Sequence, residues 1–169
     1  WSPDGSQLVV LRGGGGSVSV DLNAEPWFEI VLLSRTRKGW DSRVVGTAGG
    51  AGPRAARPRI HDNRIWLTRH RGTAPRQPSE TILVSMSMDG TDERVHLVIA
   101  GAEEVVPSPD FTRVAYKLEH QAHVAAMPSW GGSEVDITSG SVPSRKITSL
   151  VGDWLSWAPD GETLLWVEG

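Results

Sequence analysis

Short apolar runs, broken by clusters of Gly, Pro, Asp and Ser, recur along the whole chain. They predict β-strands at 8–11, 27–34, 42–46, 65–67, 81–87, 93–99, 114–116, 123–127, 134–137 and 164–167. No stretch carries the 3.6-residue periodicity of a long amphipathic helix. Several runs are continuous rather than alternating, as in "FEIVLL" and "TLLWV". A strand with one wet face alternates apolar and polar residues, so an unbroken run predicts a sheet covered on both faces.

The strands are punctuated by a repeat. Trp1-Ser2-Pro3-Asp4-Gly5 returns as Pro107-Ser108-Pro109-Asp110-Phe111 and as Trp157-Ala158-Pro159-Asp160-Gly161, with a degraded copy at His61-Asp62-Asn63. The aspartates are separated by 58 residues (4 to 62), 48 (62 to 110) and 50 (110 to 160). A period near fifty points to a repeat architecture. Each copy is followed by an apolar run, so the motif is expected to join two strands.

Its residue types suit a tight turn. Proline pre-sets φ, aspartate bonds nearby backbone N–H groups, and glycine or asparagine accepts the left-handed conformation that sends the chain back antiparallel. Phe111 departs from this rule. Either that turn differs in type, or a bulky side chain there carries local strain.

Four short strands in about fifty residues is the size of one propeller blade. The fold expected is all-β: a β-propeller fragment of about three four-stranded blades plus a partial blade, with repeats near 1–56, 57–102, 103–148 and 149–169. Closed propellers use about 4 to 8 blades, so the chain is expected to be an incomplete domain, an arc cut from a larger ring. Trp1 and Trp157 hold equivalent motif positions and are expected to wedge neighbouring sheets. Burying an indole removes about 150–250 Å² from water, an upper bound of about 4–6 kcal/mol. Trp40 and Trp130, with Gly, Asp and Ser neighbours, read as loop residues and are the better candidates for stacking on a ligand.

Composition narrows the function classes. The 169 residues carry a formal charge of -3 and no cysteine. There is no basic field for nucleic acid, and neither a disulfide nor thiol chemistry. No run approaches the roughly 18 apolar residues of a membrane span. No signal peptide is visible, and the chain opens without Met.

The turn motif resembles the repeat shared by the TolB translocation protein, tricorn-like proteases and the propellers of prolyl-oligopeptidase-type peptidases. Over about the last two-thirds of the chain, the ordered series "DNRIWL", "SMDGTDERVHLVIAG", "SPDFTRVAY", "HVAAMPSWGG" and "VPSRKITSLVGDWLSWAPDGETLLWVEG" resembles the late blades of bacterial amidohydrolases that carry a propeller before a metal-dependent barrel. Phe111 and the poor copy near Ile60 depart from that pattern, and the region 13–26 matches none of it. The resemblance implies a divalent metal in a catalytic domain beyond this segment and an exported or periplasmic bacterial protein.

Within the segment, no catalytic, cofactor or metal residue is expected. The five histidines (61, 70, 96, 120 and 123) form no His-x-His pair. His120 and His123 are expected to straddle a hairpin, where strand geometry points them apart. Asp89-Gly90-Thr91-Asp92 lacks the remaining ligands of a calcium loop and reads as a β-turn. "RGGGGSV" at 12–18 lacks the Lys-Ser/Thr of a phosphate loop and reads as a flexible insertion. "RTRK" at 35–38 and "RHR" at 69–71 read as solvated loop starts. No Gly-x-Ser-x-Gly elbow is present.

The function expected is that of a non-catalytic propeller segment of a larger hydrolase, which the resemblance implies is a metal-dependent amidohydrolase acting on C–N bonds. The segment would shape access to the active site or hold subunits together. A TolB-like protein-binding module and the gating propeller of a serine peptidase are the alternatives. The partners expected are the remaining blades and a downstream catalytic domain of the same chain, with a protein partner or a homo-oligomer as further options.

Overall fold

The computed structural model describes residues 1–13, 28–48, 57–71, 80–128, 134–148 and 154–167. These residues are almost entirely β, arranged in several largely antiparallel sheets, none of which closes on itself. The first sheet runs β1 (Gln7–Gly13), β2 (Phe28–Thr36), β3 (Gly39–Ala48). The second comprises β4 (Arg59–His61), β5 (Arg64–Arg71), β6 (Glu80–Ser87) and β7 (Arg94–Ala100) in that spatial order. The third holds β8 (Glu104–Pro107), β9 (Arg113–Leu118), β10 (Gln121–Ala126) and β12 (Ser144–Thr148), and the fourth pairs β13 (Leu155–Trp157) with β14 (Leu164–Trp166). Between β10 and β12 the chain crosses to the second sheet, where β11 (Val135–Asp136) lies parallel to β7. A 3-10 turn, Ile137–Ser139, then leads it back.

The continuous apolar runs divide their residues between two cores. On β5, Ile65 and Leu67 join a cluster with Ile30, Leu32 and Val45 of the first sheet, while Trp66 between them faces the third sheet. On β6, Ile82, Val84 and Met86 point one way and Leu83 the other. Side chains alternate across a strand, so an unbroken apolar run is what a doubly covered sheet requires. A third cluster joins Val106, Ala115 and Ala122 to Leu155 and Trp157 of the fourth sheet.

Arginines fasten the same junctions at their margins. Arg43 Nη2 donates to the Met88 carbonyl at 3.0 Å, Arg59 Nη1 to the Pro107 carbonyl at 3.1 Å, and Arg113 Nη2 to the Gly161 carbonyl at 2.8 Å. Each bond runs from one sheet to the next. Gly90 sits closer still: a Cβ there would stand 1.7 Å from the Val45 carbonyl oxygen, and its φ is +87°. Only glycine fits that position.

The three Pro-Asp turns share one backbone. Gly5, Phe111 and Gly161 donate their N–H groups to the carbonyls of Ser2, Ser108 and Ala158. Ser2, Ser108 and Ala158 in turn donate to Gln7, Arg113 and Thr163. The aspartate caps each turn, and Asp110 accepts from Ser108 Oγ at 2.6 Å and from the Thr112 N–H at 3.1 Å. The Ser108 hydroxyl and then the Thr112 amide hold Asp110 at about 2, and the Ser2 hydroxyl and then the Ser6 amide hold Asp4 at about 2. Phe111 takes φ +56°, so the turn does not change type to suit it. The fourth copy is different: Asp62 and Asn63 both have positive φ, which makes a two-residue hairpin between β4 and β5.

Several expectations need correction. Trp157 is 7% exposed and wedges the third and fourth sheets, but Trp1 is 64% exposed, with the Trp40 ring edge-on to it at 5.8 Å between centroids. Trp40 lies on β3, not in a loop. Arg69, His70 and Arg71 end β5 rather than start a loop, and their side chains are engaged by Glu93, Thr81 and Glu80 respectively. Of the predicted strand 134–137 only Val135–Asp136 is extended. Trp130 and the glycine run after Gly13 lie outside the described residues.

Candidate functional site

A polar cluster lies on the second sheet. β6 places Ser85, β7 places Arg94 and His96, β5 places Arg64, and Asp92 lies in the β6–β7 connection. Ser85 Oγ and His96 Nε2 are 2.8 Å apart, and Arg64 Nε donates to the same Oγ at 2.8 Å. Asp92 binds both arginines, Arg64 at 2.9 Å and Arg94 at 2.6 Å. A serine hydroxyl beside a neutral histidine is the starting pair for nucleophilic catalysis. Burial, then the charges of Arg64 and Arg94, push His96 down to about 4, so it is neutral at pH 7.

Access and lone pairs decide what this pair can do. Ser85 has no exposed surface, and Arg64 already occupies one of its acceptor positions. A nucleophile needs both a free lone pair and a path for substrate. The cluster instead sets the position of Trp66, whose ring lies 4.3 Å from His96 and 5.1 Å from Phe111. Trp66 Nε1 is satisfied by the His61 carbonyl at 3.1 Å. Its chemistry is to hold a buried aromatic group.

The histidine and aspartate candidates are dispersed. His120 is in the β9–β10 turn, exposed, with Nδ1 3.7 Å from Glu103. His123 is on β10 and stacks on Tyr116 at 5.1 Å. Burial and Lys146 both lower its pKa. Asp89 is consumed by the Thr91 N–H and hydroxyl, whereas Asp92 faces its two arginines, so the two carboxylates do not converge. Among the described residues no group of three or more His, Asp or Glu converges in a way that would hold a metal ion.

Openings also occur among the described residues. A cavity of about 10 Å³, lined by Arg59, Trp66, Val105 and Phe111, lies between the second and third sheets and matches one water molecule. Beside it Arg57 donates to Glu104 at 3.0 Å and to the Leu155 carbonyl, while the Leu155 N–H donates to Glu104 at 2.9 Å. That network ties the leading edges of three sheets together. The second opening is a groove of about 350 Å³ along the fourth sheet, lined by Arg113, Val124, Ile147, Trp157 and Trp166. Its volume falls in the range of small-ligand clefts.

The Ser85–His96–Arg64 cluster was invisible to sequence reasoning because its members come from three strands and from no recognisable motif. Their hairpin register is the only signal: Trp66 pairs with Ser85, and Ser85 with Arg94. No family model, curated protein or solved structure matches the chain.

Proposed function

We propose that the chain is a non-catalytic β-propeller segment of a larger hydrolase, a metal-dependent amidohydrolase acting on C–N bonds. The observation that carries the propeller half is the recurrence of one turn backbone at 2–7, 108–113 and 158–163, with apolar clusters joining each sheet to the next. The ordered late-blade series in the sequence supports the choice of parent. In this role the segment shapes access to the catalytic domain or holds subunits together.

Reading the source gene outward from both ends tests the proposal. A following barrel with a His-x-His strand supports it. A Gly-x-Ser-x-Gly elbow downstream would replace it with a peptidase, and further blades followed by a stop codon with a TolB-like binding module.

A further inference from the structure

Arg43, Arg59 and Arg113 each bond to a carbonyl of the next sheet, and two of the three work beside a carboxylate. Asp89 is held low by its bonds from Thr91 and then by the charge of Arg43. Asp160 is held low by the Thr163 and Glu162 amides and then by Arg113. Arg59 is placed differently. Its side chain makes one hydrogen bond among the described residues, to the Pro107 carbonyl at 3.1 Å, and no ion pair among them. The charge it feels is a second cation: burial and then Arg57 push Arg59 below the usual guanidinium range. Glu104 does not balance it, because one carboxylate oxygen takes the Arg57 guanidinium and the other the Leu155 N–H. Withdrawing a charge from water costs free energy that a counter-charge has to offset.

The same guanidinium lines the cavity of about 10 Å³ between the second and third sheets. Of the polar side chains on that lining, Arg57 and Arg59 bring only donors and Thr68 a hydroxyl, and the rest of the wall includes Trp66, Val105 and Phe111. A buried water is held by two to four polar partners, acceptors among them, whereas an anion needs donors alone. We propose that this cavity is a site for a monovalent anion of halide size, held on the Arg59 guanidinium between the second and third sheets. One uncompensated guanidinium calls for one negative charge. The volume admits a single ion near the size of a water molecule and shuts out sulfate or phosphate. The ion supplies at this junction the negative charge that Asp89 and Asp160 supply at the other two, and it fastens β4 to β8.

Crystals of the intact protein equilibrated with a series of sodium bromide concentrations test the site. The expected result is an anomalous bromide peak within hydrogen-bonding reach of the Arg59 guanidinium at millimolar salt. Arg59→Met should move half-occupancy about tenfold or more higher, the effect of one lost charge-assisted hydrogen bond. Arg113→Met removes a carbonyl contact at the next junction and should leave the bromide peak unchanged. Density without anomalous signal assigns the cavity to water and overturns the proposal. A peak that appears only at molar bromide, an adventitious ion only, overturns it as well, and so does a peak that Arg59→Met leaves at full strength. The readout on the unaltered protein decides the matter by itself should the Arg59 variant not fold.

Discussion

The turns at 108–113 and 158–163 share a backbone and differ at the one position that backbone reserves for glycine. Gly161 adopts φ +69° with nothing closer than 3.7 Å to the place a Cβ would occupy. Phe111 adopts φ +56° with its ring 5% exposed, stacked 4.0 Å from His61 and packed against Trp66. A left-handed non-glycine residue costs about 1–2 kcal/mol, and full burial of a phenylalanine returns about 1.5–3 kcal/mol. The strain is tolerated because the side chain that causes it also fills the junction between two sheets. Where the chain has no aromatic neighbour for that position, glycine is retained.

The sharpest way to break the comparison is Phe111→Ala, which keeps the left-handed strain and loses the ring. It should cost about 3–5 kcal/mol in urea unfolding. Phe111→Gly should cost about 1 kcal/mol less, because it removes the strain as well; equal losses would show that the backbone at 111 is relaxed. Gly161→Ala should cost only about 1–2 kcal/mol, since the Cβ meets no close atom and conformation is the whole effect.

Protonation separates the two turns further. His96 packs on the Trp66–Phe111 side and has no counterpart among the described residues at the Gly161 junction. Its folded pKa of about 4 lies below the unfolded value near 6.5, so the unfolded chain binds the extra proton first. Stability is full above about pH 6.5 and falls as the pH drops towards 4, by roughly 1 kcal/mol once solvent screening is allowed for. His96→Gln should flatten that limb in a series of thermal melts. The smallest effect belongs to the carboxylates the turns share. Asp110 is held at about 2, so its contribution is present above about pH 4 and disappears between 4 and 2, a step that Asp110→Asn should remove.

Much of the fold was legible because strand periodicity and turn chemistry are local. Of the two continuous runs expected to be covered on both faces, "FEIVLL" buries Ile30, Val31 and Leu32, whereas "TLLWV" leaves Leu165 and Val167 exposed; the Pro-Asp turns marked where strands reverse. Edges were less legible. β12, "SRKIT", is nearly all exposed and carries no apolar pattern, so its place is set by backbone pairing with β10. Arg69 and Arg71 read as solvated because Glu93, Glu80 and Glu134 are remote in sequence and adjacent only after the hairpins form. Trp1 and Trp157 sit in the same motif, and only the neighbouring sheet decides which is buried. The polar cluster around Ser85 was illegible for the same reason: it exists only in register.

The detour made by β11 has a consequence for solubility. β7 is rich in Val, Leu and Ile and forms the outer margin of its own hairpin series, an edge that would recruit a passing strand if its backbone groups were left unpaired. Val135 and Asp136 lie along that margin opposite Leu97 and Val98. The third sheet thus lends a short guard to the second, and the Asp136 carboxylate at its end caps the 3-10 turn that follows. A substitution that frees this guard would leave the folded sheets nearly intact and expose a template for amyloid-like growth.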